Sequence, residues 1–346
     1  MNFHSESPKI LVMRLSSMGD IVVLSPLFRS LRERFKNSQI DFIVKKQFSS
    51  LVENNPYISN ILLFDTKDGL NGWLDLCRKL SNEGYSLFID MHNNIRSWIL
   101  SLYMWRVRQL KYRKPRLKRF LLFYMLINLF PKNFSLLDEY YKVLTKLGIK
   151  PSGYTPEIFL DNGAKSRASD VLRLKRIEKP FAVFLPIAAW KNKRYPIAKF
   201  SEVAREVTEK LKLNVVWLGG KSDEYLNDPA LDEKGDQVTR IIGETDLETS
   251  LSIISESKLV VGNDTGLTYS AEALGVPTVL ILGPTSKETG AGLHRQGSMT
   301  LQKNFWCRPC SQRGNRRCYR KKRYCIEDIT VDEIVDAVTE IIGKEE

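Results

Sequence analysis

The stretch KILVMRLSSMGDIVVLSPLFRSLRERF, residues 9–35, sets the expected fold class. Lys9–Arg14 is an apolar run of strand length, and Leu15–Gly19 reads as a turn. From Asp20 the apolar residues recur at helical spacing to about Phe35, with Pro26 an expected kink. A buried strand running through a tight turn into a helix is the opening of a doubly wound α/β domain.

Working outward, the same alternation continues along the chain. Strands are expected at Gln39–Val44, Ile61–Phe64 and Leu87–Asp90, with a helix starting near Leu70. Helical patterns occupy Ile95–Arg106, Leu117–Asn128 and Leu136–Leu147. Gly148–Pro156, with two Gly and two Pro, marks the expected domain boundary. Beyond it, strands are expected at Phe181–Leu185, Asn214–Leu218, Leu259–Val261 and Thr278–Leu282. Helices are expected at Ile197–Leu211, Ser222–Leu231, Leu247–Glu256 and Leu267–Leu274, and a closing helix at Thr330–Ile342 carries a Thr330/Glu333 capping box. Continuous apolar strands separated by helices predict parallel sheets covered on both faces. Two domains follow, residues 1–155 and 156–346, with a ligand cleft expected between them at the carboxyl ends of the strands.

Composition narrows the function classes. At 346 residues and 43% hydrophobic content, two cores can be buried. Met1–Lys9 has no apolar segment of the kind a signal peptide needs, and the longest apolar run, Phe120–Phe130, is too short to span a bilayer. A cytoplasmic protein is expected. The net charge of +13 is unevenly placed: no Asp or Glu lies between Met91 and Leu137. Arg96, Arg106, Arg108, Lys111, Arg113, Lys114, Arg116, Lys118, Arg119 and Lys132 fall in that interval. Such a field suits a phosphorylated lipid, an anionic membrane or nucleic acid, with a solvated helix face as the plain alternative. No aromatic stacking platform or nucleic-acid recognition motif accompanies it, which disfavours nucleic acid. Of five cysteines, Cys307, Cys310, Cys318 and Cys325 cluster in sequence. The first pair has zinc-knuckle spacing and the second does not, so reduced, loop-packing thiols are the preferred reading over a structural zinc.

Three short segments fall at expected strand ends. In Arg14–Asp20, Gly19 is expected to turn the backbone tightly, and Asp20 to cap the helix or act as a general base. In Gly262–Leu267, helix-start N–H groups suit a diphosphate, although an ordinary Asp or Thr cap has the same pattern. In Lys191–Pro196, Lys193 and Arg194 are placed to meet a phosphate leaving group, or form a basic surface loop. The absence of G-x-G-x-x-G disfavours a nicotinamide dehydrogenase. With no D-x-D pair and three histidines, a metal clamp is unsupported, and neither metal nor other cofactor is expected. His92 follows a strand and is expected on the acceptor side or as a structural residue.

The segments ILVMRLSSMGDIVVLSPLFRSLRERF (10–35), VENNPYI (52–58), PIAAWKNKRYPIAKFSEVA (186–204) and VVGNDTGLTYSAEALGVPTVLILGPTS (260–286) resemble glycosyltransferase family 9, the ADP-heptose:lipopolysaccharide heptosyltransferases. The resemblance implies an α/β GT-B architecture, with two Rossmann-like doubly wound domains facing across a cleft. It puts the acceptor on the N-terminal domain and the nucleotide-sugar on the C-terminal one. It implies inverting, metal-independent transfer of heptose from ADP-heptose to the lipopolysaccharide inner core on lipid A. Asp20 matches the family's S-x-G-D carboxylate, its catalytic base, and Ser17 and Gly19 of the same motif are placed with the acceptor. His92, Arg96, Arg113 and Arg116 join them, facing an anionic glycolipid. Lys193 with Arg194, and Asp264, Thr265, Gly266 and Leu267, match donor-phosphate residues, and Asp223 in GGKSDEY matches a ribose ligand, with Glu224 its neighbour. One departure stands out: Tyr269 replaces a histidine common three residues after the loop glycine, leaving the donor sugar open. A family 9 transferase with another donor or acceptor, or a GT-B nucleotide-sugar epimerase, is the alternative. The resemblance further implies a peripheral enzyme at the cytoplasmic face of the inner membrane.

Overall fold

The computed structural model describes residues 7–151, 153–227, 238–285 and 287–344. Residues 1–6, including His4, and residues 228–231 of the helix expected at Ser222–Leu231 lie outside the described residues.

The first sheet is built from β1 (Lys9–Met13), followed by α1 (Met18–Leu24) and α2 (Pro26–Arg34), then β2 (Gln39–Lys45) and β3 (Asn60–Phe64). After α3 (Gly69–Ser81) come β4 (Leu87–Asp90), α4 (Ile95–Tyr103) and β5 (Arg108–Lys111). All pairings are parallel in the order β3-β2-β1-β4-β5. The strand order reverses at β1, so the carboxyl end of β1 is the switch point of the sheet, where open α/β sheets bind ligands.

Helices α5 (Arg116–Met125), α6 (Leu136–Leu144) and α7 (Asn162–Leu174) precede the second sheet. That sheet contains β6 (Phe181–Leu185), β7 (Asn214–Gly219), β8 (Val238–Ile242), β9 (Leu259–Asn263), β10 (Thr278–Ile281) and β11 (Met299–Leu301). Its order is β11-β10-β9-β6-β7-β8, again parallel throughout, with the reversal between β6 and β9. Helices α8 (Ile197–Leu211), α9 (Leu247–Ser255), α10 (Gly266–Ala273), α11 (Tyr324–Glu327) and α12 (Val331–Gly343) complete it. The inner strands β1, β6 and β9 are buried almost end to end, as their unbroken apolar sequences require.

Several local expectations change. The single helix expected from Asp20 to Phe35 is two helices, because Pro26 has no N–H to continue the ladder and instead begins α2. The basic interval contains a strand, β5, hidden from periodicity by its Arg and Lys; its backbone pairs with β4 all the same. The segment expected as a helix from Ser222 is a run of 3-10 turns, Lys221–Asn227. Strands β8 and β11 and helix α7 escape the sequence reading, being short or polar. The Thr330–Glu333 capping box of α12 is present.

The chain divides into two compact units, Met1–Pro115 with Ser135–Phe159, and Arg116–Phe134 with Leu160–Glu346. Residues 116–134 belong to the second unit because Arg316 donates to the Phe123 carbonyl (2.9 Å) and lies 3.9 Å from the Tyr124 ring centroid. Residues 157–159 stay with the first: Glu157 pairs with Arg29, and Phe159 meets Tyr57 edge-on at 5.9 Å.

Candidate functional site

In the first unit the turn after β1 delivers a charged constellation to the switch point. Ser17, in extended conformation, is the N-cap of α1, and Asp20 is the third helical residue rather than the cap. The Asp20 carboxylate reaches back to accept from the Ser17 backbone N–H (3.1 Å) and from the Ser17 hydroxyl (2.8 Å). Gly19 is a helical residue of the first turn, so its role is not a tight turn ahead of the helix. Arg14, buried, makes an ion pair with Asp20 Oδ2 at 2.6 Å and also bonds the carbonyls of Ser16 and Met91. Tyr140 on α6 donates to Asp20 Oδ1 at 3.3 Å.

These contacts fix the charge state. Burial pushes the Asp20 carboxyl up, but the Arg14 guanidinium and the Ser17 hydrogen bonds outweigh it and hold it at about 2. Burial and the neighbouring Asp20 keep the Tyr140 phenol well above its ordinary value, hence a neutral donor. The His92 ring is driven down to about 3, first by burial and then by the charges of Arg14 and Lys114. It is therefore neutral, and its Nδ1 has no hydrogen-bond partner among the described residues. At the ends of β2 and β3, Lys45, Lys46, Gln47, Phe64, Asp65 and Lys67 are among the residues lining an open hollow of about 300 Å³. Sequence reading missed Arg14, Tyr140 and this hollow; of these, only Arg14 had a local signal, its place in the turn.

The remaining acceptor-side candidates are dispersed. Arg96 lies on α4 with its guanidinium 5.5 Å from the Phe64 ring centroid. Arg113 follows β5, whereas Arg116 opens α5 and belongs to the second unit. The basic interval is thus a helix, a strand, a loop and a second helix split over two units, and not one helix face.

In the second unit the segments after β6 and β9 meet at the switch point. Lys193 Nζ lies 2.7 Å from Asp264 Oδ2. The Thr285 hydroxyl donates to the same oxygen at 2.6 Å, and the Tyr269 hydroxyl donates to Oδ1 at 3.0 Å. Burial opposes ionisation of Asp264, but Lys193 and the two hydroxyls keep its carboxyl below the ordinary range. Tyr269 is thus a neutral donor whose phenol is raised by burial and by Asp264. Gly262 lets α10 approach β9: a Cβ there would lie 2.3 Å from Thr268 Oγ1. Thr265 is the N-cap of α10, but its side chain makes no capping bond, while Gly266 begins the helix and Leu267 is buried.

Arg194 parts company with Lys193. It donates to the Ala188 carbonyl at 2.8 Å and lies 5.0 Å from the Tyr225 ring centroid. Its charge reaches Asp223, a buried carboxylate that accepts from Gly220 N–H at 3.2 Å and is raised mainly by burial. Glu224, its possible substitute, is exposed. The second unit therefore presents two polar clusters, Lys193–Asp264–Tyr269 and Arg194–Asp223–Tyr225. The four clustered cysteines are half-buried free thiols; burial and the neighbouring thiols raise Cys325 to about 11.

Two parallel sheets, each with charged residues at its switch point, define an α/β fold of the GT-B class. Residues 73–319 match the family model of glycosyltransferase family 9 (heptosyltransferase), and the chain belongs to that family of glycosyltransferases. It is 23% identical to lipopolysaccharide heptosyltransferase 1 of Campylobacter coli, over 97% of this chain and 100% of that protein. Among solved structures, a family 9 glycosyl transferase from Veillonella parvula superposes with TM-score 0.81 at 18% identity, covering 99% of this chain and 100% of its own. The E. coli ADP-heptose lps heptosyltransferase II superposes with TM-score 0.74 at 20% identity, over 97% and 99% of the two chains.

Proposed function

We propose that this glycosyltransferase moves heptose from ADP-heptose to the lipopolysaccharide inner core on lipid A, with inversion and without a metal. Similarity to a lipopolysaccharide heptosyltransferase and to an ADP-heptose lps heptosyltransferase supports the sugar and the acceptor. The observation that carries the chemistry is the Asp20 carboxylate, held anionic at the end of β1 by Arg14 and Ser17.

In this reading the first unit holds the acceptor and the second the donor. Asp20 accepts the proton of the acceptor hydroxyl as that oxygen forms its bond to the anomeric carbon. The bond from that carbon to the diphosphate oxygen breaks, and the nucleoside diphosphate leaves with the electron pair from the opposite face. Lys193, oriented by Asp264, meets the charge that develops on the leaving phosphate. Asp264 is a positioning residue: its oxygens are engaged by Lys193, Thr285 and Tyr269, and a carboxylate beside a diphosphate would repel it. Asp223 is placed for the ribose hydroxyls, and Arg194 supports that second cluster. On the acceptor side, Ser17, Gly19 and neutral His92 border Asp20, while Arg96 and Arg113 are assigned to anionic groups of the glycolipid, Arg116 belonging to the other unit. The enzyme then works at the cytoplasmic face of the inner membrane as a peripheral protein. Among the described residues no helix is long and apolar enough to cross a membrane.

Mass spectrometry of the lipopolysaccharide core from a deletion strain tests the reading. Loss of a heptose and everything built on it is expected, restored by the intact gene but not by one encoding Asp20→Asn. A core of unchanged mass would overturn it. Transfer that stops with EDTA and resumes with magnesium would overturn the metal-free clamp.

A further inference from the structure

Helix α4 is amphipathic the wrong way round for a helix facing water. Its inner face carries Ser97, Leu100 and Ser101, followed by Met104, all buried. Its outer face carries Ile95, Trp98 and Leu102, one helical stripe at i, i+3 and i+7, and Trp105 directly prolongs it. These four side chains are 79%, 64%, 73% and 70% exposed. The arrangement is firmly seated. Asn94 caps the helix by accepting from Ser97 N–H at 3.0 Å, and Trp73 Nε1 donates to the Arg96 carbonyl at 3.1 Å. Gln109 donates to the carbonyls of Ser101 and Met104 at 2.8 and 2.9 Å. Folding thus holds this stripe outward, and burying it would require a partner.

We infer that the outer face of α4 is a membrane-docking element that inserts Ile95, Trp98, Leu102 and Trp105 into the interface of an anionic bilayer. Charge selects the occupant. Arg96 lies beside the stripe, and Arg106, at its end, packs 4.7 Å from the Trp105 ring centroid. No carboxylate occurs anywhere from Met91 to Leu137. Apolar side chains with tryptophans at headgroup depth and arginines around them match a surface of acyl chains and anionic headgroups. A second copy fits less well. The stripe is four side chains, against the roughly 20–30 residues per partner of a stable interface. Pairing would also bring Arg96 and Arg106 against their own copies. The inference rests on the glycolipid reading above, and adds to it the part of the chain that meets the lipid.

The vesicle measurement needs no sugar, so its failure is distinct from failure of the proposed activity. Full-length protein is floated with vesicles of phosphatidylcholine, with or without phosphatidylglycerol. Wild type should bind the anionic vesicles and largely ignore the neutral ones, more weakly as salt rises. Trp98→Ser combined with Leu102→Ser and Trp105→Ser should weaken binding on the order of tenfold or more. The same variant should transfer sugar normally to a deacylated, water-soluble acceptor. As a check independent of folding of the variant, wild-type tryptophan emission should be quenched by brominated phosphatidylglycerol. Anionic-vesicle binding unchanged in the triple variant, or absent from wild type, would overturn the inference. So would self-association of wild type that the variant abolishes.

Discussion

Asp20 combines two duties that a single substitution separates. Asp20→Asn keeps the shape and can still accept from Ser17, so α1 should remain capped and donor binding should stay within a few-fold. Removal of the proton acceptor should lower turnover by about 10²–10⁴. Near-normal transfer by the Asn variant, measured by release of nucleoside diphosphate, would reduce Asp20 to a helix residue. The pairing with Arg14 makes a second prediction. With its carboxyl near 2, Asp20 is ionised throughout the working range and gives no acidic limb there. In Arg14→Gln the burial that pushes this carboxyl up is no longer opposed by the guanidinium. An acidic limb should then appear at or above the ordinary carboxylate value of about 4, with Arg14→Lys restoring the wild-type profile. Superimposable pH profiles for wild type and Arg14→Gln would sink this account.

At the scale of elements, the basic interval divides into parts with different expectations. Arg96 on α4 and Arg113 after β5 share a unit with Asp20, whereas Arg116 begins α5 in the other unit. Neutralising Arg96 and Arg113 together should raise the apparent acceptor constant several-fold at low salt and hardly move the donor constant. The effect should shrink as screening over about 8 Å sets in at physiological ionic strength. Arg116→Gln should have the smaller effect on acceptor if its unit serves the donor. Equal acceptor kinetics in all three proteins would leave these cations as a solvated surface.

For the whole molecule, stability should fall with pH in two stages. His92 is held neutral in the fold to about pH 3, whereas in the unfolded chain it gains a proton below about 6.5. Its folded pKa is depressed, so the unfolded state binds the extra proton first and stability declines from about 6.5 downward. Asp20 and Asp264, both depressed, contribute stability above the ordinary carboxylate value, lost as pH falls from about 4 through their folded values. Denaturant midpoints measured against pH should show both declines. His92→Asn should flatten the upper one and Asp20→Asn the lower. An upper decline that survives in His92→Asn would refute the assignment of that stage to His92.

Residue order alone determined the alternation of strand and helix, because unbroken apolar runs such as Phe181–Leu185 and Leu259–Val261 suit strands covered on both sides. It also exposed the turn at Asp20, the Lys193 loop and the Asp264 loop, since each lies directly after such a run. Strand β5 stayed hidden because its pairing is made by backbone groups while Arg108 and Lys111 at its ends are charged. Tertiary structure alone decided the partners. Arg14 and Tyr140 converge on Asp20 from positions six residues and 120 residues away in the chain. Thr285 and Tyr269 close on Asp264, and Arg194 turns from Lys193 toward Tyr225. Periodicity reports which face of an element is apolar, but not what that face meets. For that reason α4 read as an ordinary helix until its seating on Trp73 and Gln109 left the tryptophan face outward.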